Sequence, residues 1–132
     1  MLFRSHRYQD RLARTGYCDL NNDGWVDAVT TVLGAHPQFF FNRGGSSHWL
    51  TITLRATRSN RDGLGARVQV NGQMRFATTV GSYASANDKR LHFGLGSAKS
   101  AKVEVFWPSG THQVLNDISA DQFLEVREPE KP

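Results

Sequence analysis

The sequence has one cysteine, no long apolar run and no paired histidines, and each absence narrows what the protein can be. Cys18 alone cannot form an intrachain disulfide, and we interpret it as a small buried hydrophobe at the end of a strand. No stretch approaches the roughly 18 consecutive apolar residues of a membrane-spanning helix, so no membrane span is predicted. None of the five histidines stands four residues from another, which excludes the helical two-histidine zinc motif.

The net charge of +4 is concentrated at the N-terminus. Four arginines precede residue 16, at positions 4, 7, 11 and 14, against the single acidic residue Asp10. Such a segment can attract phosphate or acidic polysaccharide without sequence specificity. No helix-turn-helix, zinc-finger or RNP-like pattern accompanies it, so we favour a solvated basic face over a nucleic-acid partner. A polyanion-binding module, for an acidic glycan or nucleic acid, stays open as an alternative.

The nine residues from Asp19 to Asp27 carry the clearest chemical signal in the chain. Side-chain oxygens stand at loop positions one, three, five and nine, and glycine stands at position six. Alternate residues of a tight loop can point inward together, and calcium accepts six to eight oxygen ligands. We therefore predict a calcium site. Its ligands are the side chains of Asp19, Asn21, Asp23 and Asp27 and the backbone carbonyl of Trp25.

The residues that follow this loop distinguish it from a helix-loop-helix site. That motif requires a bidentate glutamate at position twelve, which here is Thr30. Residues 28–33 are rich in β-branched side chains and end at Gly34, which predicts a strand. The prediction is a calcium loop that leads into a β-strand. An Asx-rich turn that binds no metal is the alternative.

The rest of the chain has the pattern of short strands separated by turns. Residues 50–54 and 66–70 alternate apolar and polar side chains, and Asn71-Gly72 follows the second run as a hairpin signal. Further strands are predicted at 38–42, from Met74, at 91–93, 102–107, 112–115 and 122–126, with one helical turn allowed at 118–122. We predict an all-β fold, a small β-sandwich or barrel-like domain.

Two polar loops of this β-domain are candidate ligand sites, since binding groups are usually carried by loops on a rigid scaffold. The first contributes Ser59, Asn60, Arg61 and Asp62. The second contributes Tyr83 and Asn87, an aromatic ring and an amide suited to stacking on and hydrogen-bonding a sugar. In the alternative interpretation both loops are only structural.

Several of these segments resemble known families. Residues 19–27, with the Phe39–Gly45 strand and turn, resemble the cation loop and strand of FG-GAP (VCBS) repeats, which build β-propellers. The segments 48–50, 59–68, 91–96 and 107–110 resemble the ASPIC/UnbV domain in the expected order. The resemblance implies three parts: a remnant of a propeller blade with its calcium loop at 1–46, an ASPIC/UnbV-like β-domain at 47–128, and a tail at 129–132.

The resemblance implies an extracellular or periplasmic protein, although Met1–Arg7 lacks the apolar core of a signal peptide. We therefore expect the chain to be a fragment. The carboxylates of the β-domain are too dispersed for a glycosidase pair, and Ser109 has no nucleophile-elbow context, so no enzymatic activity is predicted. The expected function is adhesion or surface assembly with an extracellular protein or glycan partner, and self-assembly is one form of it. An accessory domain of a secreted hydrolase is a further alternative.

Overall fold

The computed structural model describes residues 13–80 and 88–130, and every regular element in those ranges is a β-strand. The ten strands are β1 (Ala13–Cys18), β2 (Asp27–Val32), β3 (Gln38–Phe40), β4 (His48–Arg55), β5 (Arg67–Val70), β6 (Gln73–Phe76), β7 (Leu91–Gly96), β8 (Ser100–Phe106), β9 (His112–Ser119) and β10 (Gln122–Arg127). The all-β prediction is confirmed. No helix long and apolar enough for a bilayer occurs in these ranges.

Two of the three sheets form a small β-sandwich. One has the strand order β10-β4-β7 and the other has the order β6-β5-β8-β9. Their inner faces share one apolar core, to which Ile52, Val68, Phe93, Val103 and Val126 contribute side chains that are almost fully buried. Because alternate residues of a strand point to one face, the apolar positions of β4, β5 and β8 meet in this core.

The turn between β5 and β6 is the hairpin that the sequence predicts. Val70 pairs with Gln73, and Asn71 and Gly72 between them have φ angles of 45° and 86°. Two successive residues with positive φ form the tight turn whose twist matches that of the flanking strands. This local chemistry fixes the register of β6 against β5.

Strand β4 is buried on both of its faces. Leu50 and Ile52 point into the core, as the alternation predicts, but Trp49 and Thr51 on the opposite face are also buried. The strand pairs in parallel with β10 and antiparallel with β7. It is therefore the central strand of its sheet, with a second layer of the protein on its outer side.

The helical turn allowed at residues 118–122 is absent. Ile118 and Ser119 instead end β9, and Asp121 has a φ angle of 57° in the turn before β10. The Asp121 carboxylate accepts a hydrogen bond from the Trp49 N–H at 3.1 Å and lies 2.6 Å from His48 Nδ1. These contacts with β4 fix an extended path and a tight turn, so tertiary structure overrides the local preference.

The third sheet has the order β1-β2-β3 and precedes the sandwich in the chain. Ala28 pairs with Phe40 and Val29 with Phe39, so the two phenylalanines point to opposite faces. Phe39, Phe40 and the following Phe41 are each more than half exposed. This small sheet therefore presents aromatic side chains on both of its faces.

The core assignment can be tested by comparing Val103→Ala with Val114→Ala. Val103 is fully buried in β8, whereas Val114 in the adjacent β9 is 41% exposed. We expect Val103→Ala to lower the free energy of unfolding by about 2 kcal/mol, because it removes buried methyl groups and leaves a cavity. Val114→Ala should change it by less than about 0.5 kcal/mol. Equal losses in denaturant titrations would contradict the assignment.

Candidate functional site

The loop from Asp19 to Asp27 closes the hairpin between β1 and β2. The last pair of that hairpin is Cys18 with Asp27, so the residues between them form the turn. Asn22 and Gly24 have φ angles of 56° and 90°, in the left-handed region. Glycine at position six thus has a backbone conformation that a residue with a Cβ atom would resist.

The side chains of three predicted ligand residues accept hydrogen bonds from backbone N–H groups of this loop. The two carboxylate oxygens of Asp19 accept hydrogen bonds from Asp23 N at 3.1 Å and Gly24 N at 2.8 Å. Asn21 Oδ1 accepts from Asp23 N at 3.3 Å, and Asp23 Oδ1 accepts from Trp25 N at 2.9 Å. The Asn21 amide also donates to Asp23 Oδ2 at 2.8 Å. The structure thus brings Asp19, Asn21 and Asp23 together along the inside of the turn.

Asp27 occupies a different position from the other three. Its side chain is buried, and its oxygens accept hydrogen bonds from Leu20 N at 2.9 Å and Asn42 N at 2.7 Å. It therefore ties the start of the loop to the segment after β3. Trp25, the predicted carbonyl donor, packs its indole against Gly44. Among residues 13–80 and 88–130, no three His, Cys, Asp or Glu side chains are grouped as metal ligands.

The Asp19–Asp27 loop packs on the outer face of the sandwich. Gly24 lies directly on Trp49, and a Cβ atom added at Gly24 would stand 2.0 Å from the indole ring. The Arg90 guanidinium donates to Asn22 Oδ1 at 2.8 Å and to the Asp19 carbonyl at 3.0 Å. Asp88 pairs with Arg90 at 2.6 Å, and this hydrogen-bonded contact raises the pKa of Arg90. We refer to these contacts as the loop–sandwich junction.

Most side chains of the predicted Ser59–Asp62 ligand site have partners inside the protein. Asn60 Oδ1 accepts from Asp62 N at 3.1 Å, which makes a local Asx turn. The Asp62 carboxylate accepts from Lys89 Nζ at 2.7 Å, and this hydrogen bond lowers the pKa of Asp62. Arg61 Nε lies 3.8 Å from the same carboxylate, but 85% of the Arg61 side chain is exposed. Tyr83 and Asn87 lie outside the described residues.

Ser59 belongs to a buried carboxylate site that the sequence did not indicate. Glu128 follows β10 and is only 2% exposed. Its Oε2 atom accepts hydrogen bonds from the N–H groups of three successive residues, Thr57 at 3.0 Å, Arg58 at 2.9 Å and Ser59 at 3.0 Å. Its Oε1 atom accepts from the hydroxyls of Ser59 and Ser109. The carboxylate therefore joins the loop after β4, the turn after β8 and the end of β10.

The hydrogen bonds determine the charge state of Glu128. Burial raises the pKa of this carboxyl group, but hydrogen bonds from Ser109, Arg58 and Ser59 outweigh it and lower the pKa to about 2. Glu128 is thus ionised at neutral pH and fully occupied by donors. In the sequence it cannot be told apart from Glu130, because all of its donors are roughly 20 to 70 residues away in the chain.

Other residues considered in the sequence also have structural partners. His92 Nδ1 lies 3.2 Å from Thr51 Oγ1 and its ring stacks on Trp49, and burial lowers the pKa of the imidazole. These contacts give His92 a structural role. Cys18 is partly buried, and burial raises the pKa of its thiol. Arg4, Arg7 and Arg11 lie outside the described residues, whereas Arg14 is exposed on β1.

Comparisons with known proteins identify similarities to one family and to individual relatives. Residues 56–132 match the model of the family described as ASPIC and UnbV. Cartilage acidic protein 1 of Mus musculus is 29% identical over 119 residues, and that of Homo sapiens is 28% identical over 119 residues. Each alignment covers 83% of this chain and 18% of the relative. The chain therefore spans less than a fifth of the length of these relatives, and the similarity extends to residues before 56.

Glu128→Gln tests the buried carboxylate through its pH dependence. At pH 7 we expect the variant to lose about 1–3 kcal/mol of unfolding free energy, because a charged acceptor with several donors is replaced by a neutral amide. The folded-state pKa of about 2 lies below the ordinary 4.5, so the stabilisation is present above pH 4.5 and is lost as the pH falls toward 2. The gap between wild type and variant should close over that range. Glu130→Gln, at an exposed position, is the control. A gap independent of pH would contradict the assignment.

Gly24→Ala tests the loop–sandwich junction, with Gly34→Ala as a matched control. Both glycines have positive φ, but a Cβ at Gly34 meets no atom within 4 Å. We expect a loss of about 1 kcal/mol for Gly34→Ala from backbone strain alone. For Gly24→Ala we expect about 2–4 kcal/mol, because overpacking against the Trp49 ring adds to that strain. Faster hydrogen exchange in β1 and β2 would locate the effect. Equal losses for both variants would show that the loop does not pack on Trp49.

Proposed function

Since the chain belongs to the ASPIC and UnbV family, we propose that it is a non-catalytic extracellular binding module whose Asp19–Asp27 loop holds a structural calcium ion. Its function would be adhesion or surface assembly through contacts with a protein or glycan partner. The observation that carries the proposal is the position of this loop, between the three-stranded sheet and the sandwich. A cation bound there would stabilise the junction on which the relative placement of the two parts depends.

The atoms of the loop suit calcium in kind. Asp19, Asn21, Asp23 and Asp27 would supply side-chain oxygens, and Trp25 its carbonyl. Calcium prefers hard oxygen ligands in flexible geometry. Asp19 and Asp23 accept backbone hydrogen bonds that shape the turn, and a carboxylate oxygen has a second lone pair for a cation. Asp27 would contribute from the start of β2, where it already fixes two backbone N–H groups.

Bound calcium would stabilise the folded state of the protein. An ion that binds the folded loop but not the unfolded chain stabilises the fold by mass action, by about 2.7 kcal/mol at one hundred times its dissociation constant. It would also reduce the repulsion among the three carboxylates of a nine-residue loop. The Arg90 contacts with Asn22 and the Asp19 carbonyl reach the same loop from the sandwich side.

The exposed faces of the three-stranded sheet support the proposal that this sheet is part of a larger β-structure. A sheet that exposes Phe39 on one face and Phe40 on the other is built to be covered on both sides. We propose that it belongs to an FG-GAP-type propeller repeat of a longer protein. The relatives are long enough for such a protein, because this chain covers only 18% of them. Their name refers to cartilage, a tissue rich in extracellular matrix, which supports an extracellular location.

The non-catalytic part of the proposal rests on how the reactive groups are used. Glu128 is ionised and fully hydrogen-bonded, so it does not exchange protons near neutral pH. The Ser109 hydroxyl donates to that carboxylate and also contacts Thr111, which leaves it in a structural role. His92 is tied to Thr51 and Trp49. These three groups serve the fold, which supports a function through contact surfaces.

Calcium-dependent melting tests the proposal. We expect millimolar calcium to raise the melting temperature by several degrees over the same protein in chelator, because the ion binds the folded loop alone. Asp23→Ala should abolish the difference, whereas His92→Ala should keep it. Isothermal titration calorimetry should show binding heat for wild type and His92→Ala only.

The readout is the difference between calcium and chelator within each variant. Asp23→Ala also removes the hydrogen bond to Trp25 N, so its melting temperature in chelator falls for a separate reason. Coincident melting curves of the wild-type protein with calcium and with chelator would refute calcium binding.

A further inference from the structure

A cleft of about 570 Å³ opens on the side of the sandwich, next to the loop–sandwich junction. One wall is formed by the end of β1 and the Asp19–Asp27 loop, and the other by β6 and the residues that follow it. Residues of β4 and β7, among them Thr51, Leu91 and His92, also line it. We call it the side cleft. Its volume is in the range of sites that hold small organic ligands.

Apolar residues line much of the side cleft. Val80, which follows β6, is 78% exposed there. Met74 and Phe76 also border the cleft but lie on the face of β6 opposite Arg75, because Arg75 pairs with the core residue Val68 and Met74 pairs with Gln69. Leu91 is buried and Val26 partly buried within it. Exposed apolar groups around a concave surface are typical of a binding site for an apolar group.

The charged groups of the side cleft are paired, with one exception. Asp88 and Arg90 form an ion pair at 2.6 Å, and the Asp19 carboxylate accepts two backbone hydrogen bonds. Arg75 forms no hydrogen bond or ion pair with any residue that the structure describes. Its guanidinium stands 5.6 Å from the centre of the Phe93 ring, an aromatic contact that leaves its charge without a carboxylate. Among residues 13–80 and 88–130, the cleft therefore combines apolar residues with one cation that has no carboxylate partner.

His92 adds a polar but uncharged group. Its Nδ1 atom is engaged by Thr51 at 3.2 Å, and burial and the nearby Arg75 charge lower the pKa of the ring, so it is neutral at pH 7. Arg75 is accordingly the group that selects for charge. A guanidinium binds a carboxylate through two parallel hydrogen bonds, a geometry that an amide or alcohol cannot reproduce.

We propose that the side cleft binds an apolar group that carries a single carboxylate. The apolar part would contact Val26, Val80 and Leu91, and the carboxylate would pair with Arg75. The same chemistry occurs in a free arylalkanoate and in an aromatic residue beside an acidic residue of a peptide. The proposal does not depend on calcium binding.

The test compares an acid with its neutral isostere. The probes are 4-phenylbutyrate, 4-phenylbutyramide and the capped dipeptide N-acetyl-phenylalanyl-glutamate amide, each titrated into the whole chain and followed by amide chemical shifts. We expect the acid to bind about tenfold more tightly than the amide, as a charge-assisted bidentate contact implies. Shifts should be largest at Arg75 and His92. Tighter binding of the free acid or of the dipeptide would decide between the two sources.

Two pairs of variants separate charge from apolar contact. Arg75→Gln should reduce the preference for acid over amide to about twofold or less, whereas Lys99→Gln, which removes one positive charge from an exposed loop, should retain it. Val80→Ser should weaken acid and amide alike, and Leu33→Ser, at a similarly exposed aliphatic residue in the turn after β2, should weaken neither.

Three results would overturn the proposal. The first is equal affinity of wild type for acid and amide, and the second is an equal effect of Lys99→Gln and Arg75→Gln. The third is the absence of shifts with every probe at millimolar concentration. Because Arg75 and Val80 are exposed, their variants should fold, and unchanged shifts in the β8 core would verify it.

Discussion

The burial of β4 on both faces is the constraint from which the arrangement of the protein follows. Its inner face contributes Leu50 and Ile52 to the sandwich core, and its outer face carries Trp49 and Thr51. Because the outer face of β4 is also buried, another layer of the protein must cover it. The Asp19–Asp27 loop forms part of that layer by placing Gly24 on the Trp49 ring. Thr51 and His92 lie at the side cleft, which is the part of this outer face that the loop does not cover.

The second organising feature is the carboxylate of Glu128. Three successive backbone N–H groups converge on one of its oxygens, and two serine hydroxyls on the other. A charge buried in this way is tolerated because every lone pair is matched by a donor. The loop that begins at Ser59 is therefore held from within by Glu128, while Asn60 and Arg61 are exposed to solvent. Ligand binding by this loop stays a prediction.

What the sequence could and could not predict follows from the range of the interactions. The Asn71-Gly72 turn and the alternation in β4 depend on neighbouring residues, and both were predicted. The helical turn at 118–122 was wrong because Asp121 is fixed by His48 and Trp49, more than 70 residues earlier in the chain. Glu128 was missed for the same reason. The spacing from Asp19 to Asp27 identified the residues of a loop, but no local pattern could indicate that its glycine would lie on Trp49.

The exposed phenylalanines have a consequence for how the chain behaves in solution. β3 lies at an edge of its sheet, and Phe39, Phe40 and Phe41 surround that edge. Open backbone groups beside apolar rings form a template on which another chain can add a strand. The net charge of +4 opposes such association through mutual repulsion, which weakens as salt screens it. Self-association of the chain in solution is therefore expected to increase with ionic strength.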